Sequence, residues 1–130
     1  MDDIRIVANL AVSVAARADQ ITIPAAFALA PNYPNPFSPR GSLGPGGRHT
    51  TIRFALPAIA QIDIAIYDLL GRRVATLLNE KRPAGVHLVR WEAQDEAGQQ
   101  VAAGIYFYRL QATLADGRRA FQSVRKMVVQ

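Results

Sequence analysis

Thr50-Thr-Ile-Arg-Phe-Ala-Leu56 and Gln61-Ile-Asp-Ile-Ala-Ile-Tyr-Asp68 decide the fold class. In the first stretch Ile52, Phe54 and Leu56 alternate with Thr51, Arg53 and Ala55. In the second, Ile62, Ile64 and Ile66 alternate with Gln61, Asp63 and Ala65. An apolar period of two buries one face and wets the other, which is the pattern of a strand rather than a helix. Asp68-Leu-Leu-Gly71 follows, with Asp first and Gly fourth, as a type I turn prefers. Arg73 to Leu78 then reads as the returning strand of a hairpin.

Downstream the pattern repeats. Pro83-Ala-Gly85 breaks the chain, and Val86 to Ala93 is a strand with Val89 and Trp91 on one face. Asp95-Glu-Ala-Gly98 is a second turn. Gly104 to Leu114 is rich in β-branched and aromatic residues, Asp116-Gly117 is a hairpin signal, and Phe121 to Val129 closes the domain. Upstream, residues 31 to 48 are dense in turn formers. Pro31, Pro34, Pro36 and Pro39 fix φ and remove backbone donors, so no inner strand forms there. The Gly-rich stretch 41 to 47 reads as a surface loop. Adding Phe27 to Ala30 gives about seven short strands with turns roughly every ten residues. That count predicts an all-β, immunoglobulin-like antiparallel β-sandwich, with an open barrel as the other arrangement it allows. Ile4 to Val14 also alternates. Residues 1–20 therefore read as the last strand of an upstream domain plus a linker, and residues 21–130 as the sandwich.

Composition narrows the function classes. The chain has 130 residues, half of them apolar, enough for one packed domain. Having no cysteine, it has no disulfide and no thiolate metal site. His49 and His87 show no ligand spacing, and Asp68 and Asp95 read as turn residues, so neither metal nor cofactor is expected. No Gly-x-Ser-x-Gly marks a nucleophile, so the chain reads as non-catalytic. The net charge of +5 favours anionic partners in general. The scattered arginines lack the aromatic-plus-basic pattern of RNA readers, so no nucleic-acid partner is expected. No stretch reaches the roughly 18–20 apolar residues of a transmembrane helix. Asp2 and Asp3 stand where an export signal carries positive charge, so if the protein is secreted its signal is expected upstream of this sequence.

A series of motifs follows in order: Asn32-Tyr-Pro-Asn-Pro-Phe37, Thr50-Thr-Ile-Arg-Phe54, Ile66-Tyr-Asp-Leu-Leu-Gly71-Arg-Arg-Val74, Gly85-Val-His-Leu-Val-Arg-Trp91, Gly104-Ile-Tyr-Phe-Tyr-Arg-Leu110 and Arg125-Lys-Met-Val-Val129. The series resembles the type A C-terminal sorting domain of the type IX secretion system. It is also similar to the immunoglobulin-like domain of the flagellar hook-capping protein. The resemblance spans about residues 27 to 130. It implies a non-catalytic domain that directs an upstream cargo across the outer membrane to the cell surface. The implied partners are the outer-membrane type IX translocon and a surface transpeptidase, with anionic lipopolysaccharide reached through the cargo. It also implies cleavage in the linker between Ala15 and Ala30. Two features depart from the family pattern: the Gly/Pro-rich insertion from Ser38 to His49, and a final Gln130 where a basic residue is common.

The resemblance makes Lys126, Met127, Val128 and Val129 the sorting signal, on a terminal edge strand open to strand addition. Gly71, Gly98, Gly104 and Gly117 read as structural turn and bulge glycines, with Gly104 also allowing close backbone packing. Phe54, Trp91 and Phe107 are the expected core aromatics. Trp91, Tyr106 and Tyr108 could instead form a stacking platform for sugars, which would make the chain a carbohydrate- or cell-surface-binding module. A structural domain of a hook-cap-like assembly is the third reading.

Overall fold

The computed structural model describes residues 23–39 and 49–130. The strand expected at 4 to 14, the boundary near residue 20 and the loop at 41 to 47 lie outside the described residues. Among the described residues seven strands follow in order: β1 (Ala28–Leu29), β2 (Thr50–Leu56), β3 (Ala60–Tyr67), β4 (Arg73–Arg82), β5 (Gly85–Trp91), β6 (Gly104–Thr113) and β7 (Arg119–Val129). They form a three-stranded sheet, β1-β2-β5, and a four-stranded sheet, β4-β3-β6-β7. Every strand pair is antiparallel. This is the immunoglobulin-like β-sandwich that alternation and turn spacing predict.

The alternating apolar rows meet between the sheets. β2 contributes Ile52, Phe54 and Leu56, and β3 contributes Ile62, Ile64 and Ile66, all fully buried. Phe54 and Trp91 are core residues; Phe107 is not. Gly104 to Tyr108 is apolar on both faces, so its own pattern leaves the inward parity open. Pairing with β3 sets it. Directly opposed residues of an antiparallel pair share a face. Tyr108 opposes Ile66 and Leu110 opposes Ile64, so the even-numbered residues face inward. Phe107 opposes Tyr67 and is half-buried on the outer face.

Tyr106 and Tyr108 are tolerated inside because each hydroxyl finds a carbonyl. Tyr106 donates to Ala102 O at 2.7 Å, and Tyr108 donates to Ala30 O at 2.7 Å. With Trp91 they lie in the core, so these three rings do not form a sugar-stacking platform.

Three loops share one geometry. In Asp68–Arg72, Asp95–Gln99 and Leu114–Arg118 the first N–H donates to the fifth C=O. The fourth residue is a glycine at φ near 80° (82°, 81° and 86° for Gly71, Gly98 and Gly117), donating to the first C=O. This is a type I turn closed by a left-handed glycine. Asp116-Gly117 is therefore the second half of a five-residue loop rather than a two-residue turn. Gly104 is also at positive φ, 152°, but no atom lies within 4 Å of where its Cβ would stand. Backbone conformation, not close packing, is what glycine supplies there.

Candidate functional site: the terminal strand and its clamp

β7 is the outer strand of the four-stranded sheet, yet its two halves differ. The segment 27 to 37 explains why. Phe27 stacks on Phe121 at 5.5 Å, and β1 pairs with β2. The chain then runs along β2, with Tyr33 and Thr51 exchanging backbone bonds of 2.9 and 2.8 Å. The bonds Tyr33-Pro34 and Asn35-Pro36 are cis. After them the chain leaves the first sheet and reaches the second. Phe37 N–H donates to Val128 O at 3.1 Å, and Gln130 N–H donates to Phe37 O at 2.9 Å. Asn35 Oδ1 accepts the Val128 N–H at 3.0 Å.

The corner is held by polar groups that prolines would otherwise leave unpaired. Asn32 Nδ2 donates to Pro34 O (3.2 Å) and to Thr50 Oγ1 (2.9 Å), and Thr50 Oγ1 donates to Pro34 O at 2.8 Å. Asn32 and Thr50 are both buried, so these bonds replace water that cannot reach them. The Phe37 ring lies in the core, edge-on to Trp91 at 6.0 Å, and Trp91 is edge-on to Tyr106 at 5.7 Å.

The proposed signal residues therefore divide. Met127 and Val129 are buried side chains, and the backbone of Val128 is already bound by Asn35 and Phe37. The free edge expected at Lys126–Val129 is closed from Val128 onward. It opens further back. Backbone groups of a strand alternate direction, so if Val128 points outward, Lys126, Val124 and Gln122 do too. No described strand or bridge covers that edge from Arg119 to Lys126. The Arg125 side chain points inward and donates to Leu29 O at 2.6 Å, tying β7 to β1. The roles of Asn32, Asn35 and Phe37 escaped sequence reading; the only signal was an asparagine two residues before Pro34 and another just before Pro36.

His87 sits mid-β5, stacked on Phe54 at 5.3 Å, with Nε2 2.8 Å from Pro83 O. At the turn after β3, the Arg72 amide leads the contacts holding the Asp68 carboxyl below its usual pKa, joined by the Arg72 guanidinium and the Leu70 amide. Burial raises the Tyr106 and Tyr108 phenols above their usual value. No group of three or more His, Asp or Glu side chains among the described residues could hold a metal ion.

Two antiparallel sheets, joined by a segment that bonds first to one and then to the other, define an immunoglobulin-like domain. The FlgD Ig-like domain model matches residues 41–116, more than half of the chain, and the chain belongs to that family. In fold it is similar to FlgD from P. aeruginosa (TM-score 0.53, 18% identity, 70% of this chain and 67% of that one). It is also similar to dimeric latent PorU from Porphyromonas gingivalis (TM-score 0.58, 20% identity, 82% of this chain and 10% of that one). PorZ, an essential surface component of the type-IX secretion system of the same organism, aligns at 22% identity and TM-score 0.43 over 77% of this chain and 11% of PorZ. The chain thus spans about a tenth of PorU and of PorZ. No curated protein sequence matches it. The family match stops before β7 and begins after Phe37, so the clamp and the terminal strand lie outside it.

Proposed function

We propose that this domain is a C-terminal sorting and anchoring signal of the type IX secretion system, read on its terminal strand. The observation that supports this reading is the division of β7. Its last residues are fixed by the Asn35 and Phe37 clamp, while the outward backbone donors and acceptors of Gln122, Val124 and Lys126 meet no other strand among the described residues. A partner strand can add to such an edge through main-chain bonds. The role of Lys126–Val129 becomes one of holding the strand in register, with Lys126 as its accessible charge. Cargo transfer, surface attachment and cleavage before Phe27 follow from the same proposal.

A reporter with an ordinary periplasmic signal, fused ahead of residues 21–130 in a host carrying this secretion system, tests it. Val124→Pro removes an outward N–H that no described strand uses, so the domain stays folded but strand addition is blocked. Surface delivery should fall while the melting temperature hardly moves. Delivery that survives both Val124→Pro and deletion of residues 121–130 would end the claim.

Membership of the FlgD Ig-like family favours a second reading, a structural domain of a hook-cap-like assembly. Concentration-dependent assembly in light scattering, in a chain that does not deliver the reporter, would select it.

A further inference from the structure

The outward face of the four-stranded sheet is unusual for a solvated surface. Register opposes Ile105 with Val128, Phe107 with Lys126 and Arg109 with Val124 on that face. β3 adds Tyr67. The following turn overhangs it with Leu69 and Leu70, which are 64% and 77% exposed. The middle positions of a type I turn accept most residues, so nothing in the turn requires two leucines. Tyr67, Leu69, Phe107, Arg109 and Val124 line one shallow depression, with Asp68 and Gly71 of the turn at its rim.

The charges on this face are unbalanced. Asp63 is its acidic side chain, and Arg73 already lies 3.7 Å from it. Arg73 is further held by Tyr67 Oη (3.1 Å) and Thr76 Oγ1 (2.8 Å). Asp68 is taken by Arg72 at 2.8 Å. Arg109 stacks its guanidinium over the Tyr67 ring, 4.9 Å from the centroid. Neither Arg109 nor Lys126 has a carboxylate partner among the described residues. Stacking holds the Arg109 fork in place while leaving its N–H groups available, which is a prepared receptor for a carboxylate.

Charge also selects the occupant. A two-fold pairing of this face with itself would set Arg109 and Lys126 near their own copies. An anionic bilayer meeting the Leu69-Leu70 tip would also meet Asp95 and Glu96, which share a surface cleft with Asp68 and Arg72. A protein segment carrying both carboxylates and aliphatic side chains has neither difficulty.

We infer that the outer face of β3, β6 and β7 docks an acidic, aliphatic-rich peptide segment of a partner protein. A carboxylate sits on Arg109, and aliphatic groups sit on Phe107, Val124 and Leu69. The inference holds whether the domain sorts cargo or builds an assembly, and no secretion apparatus is needed to test it.

The test titrates the full chain into a labelled short peptide of leucine, glutamate and serine, read by fluorescence anisotropy. Two control peptides replace glutamate with glutamine or with lysine. The acidic peptide should bind with a salt-sensitive affinity, weakened about tenfold by Arg109→Gln. Leu69→Ser should weaken it too, and Arg109→Lys should fall between, because charge remains without the stacked fork. Amide shift changes should map to Phe107, Arg109, Val124 and Lys126. Equal binding of the glutamine peptide, or no effect of Arg109→Gln in a chain with an unchanged melting curve, overturns the inference. So does sedimentation showing self-association lost in Arg109→Gln, which would make a second copy the occupant. Arg109-dependent binding to vesicles containing phosphatidylserine without peptide binding overturns it as well.

Discussion

The two halves of the last strand differ more than two separate strands usually do. From Met127 onward, β7 is flanked on both sides: β6 on one, the Asn35–Phe37 segment on the other. Its odd side chains fill the core. From Arg119 to Lys126 it has, among the described residues, β6 alone, and no described strand covers its outer edge. The C-terminal part behaves as an interior strand and the N-terminal part as an edge. One sequence run of eleven residues therefore does two jobs. A partner that adds a strand can do so only where the clamp ends. The clamp is what keeps an otherwise frayed terminus in register, since chain ends are ordered only when tied down.

The sharpest way to break the comparison is Phe37→Ala. Its ring is buried against Trp91, and the same residue supplies both backbone bonds of the clamp. Truncating a buried Phe costs about 3–5 kcal/mol. Chemical denaturation should show that loss, and hydrogen exchange should show Val128 and Gln130 becoming as exposed as Val124. Unchanged exchange at Val128 would mean that the clamp does not hold the strand.

A proline pair sharpens it further. The Ser123 N–H faces β6, opposite Leu110, while the Val124 N–H faces the open edge. Ser123→Pro should cost about 1–3 kcal/mol from the lost bond and its stranded acceptor. Val124→Pro should cost about 0.5 kcal/mol, as edge positions tolerate proline. Equal costs would show that the edge is covered.

The inner rows of this fold were legible because alternation is local. Ile52, Phe54 and Leu56 declare their face within seven residues. Phe107 did not, because its strand is apolar on both faces and only pairing with Ile64 and Ile66 fixes which face turns inward. The turn at Asp116-Gly117 was legible as a turn but not in register, since the same dipeptide closes two-residue and longer loops alike. The clamp was illegible for another reason. Asn32, Asn35 and Phe37 act through partners at Thr50 and Val128, and no local period encodes a contact across so much chain. The prolines said only what the segment could not be.

Within the clamp, Asn35→Ala removes one acceptor and leaves Phe37 in place. The Val128 N–H is near solvent, so water can replace part of the loss. About 0.5–1.5 kcal/mol is expected, with the change in exchange confined to Val128. A global loss like that of Phe37→Ala would mean that the side chain, not the ring, fixes the crossing.

The smallest effect tests whether the clamp is independent of the turn after β3, which lies at the same end of the sheet. Asp68 has a lowered pKa in the fold, from the Arg72 and Leu70 amides and the Arg72 guanidinium. Its contribution is thus present above the unfolded value, about 3.9, and fades as pH falls through the lower folded value. The carboxyl is still reached by solvent, which screens it, so the effect is slight. Asp68→Asn should flatten the acid limb of stability in the wild type and in Asn35→Ala by the same amount, because the two sites share no partner. An acid limb that changes only when the clamp is intact would show that the turn and the clamp are coupled across this end of the sheet, and that the terminal strand is not as independent as its bonding suggests.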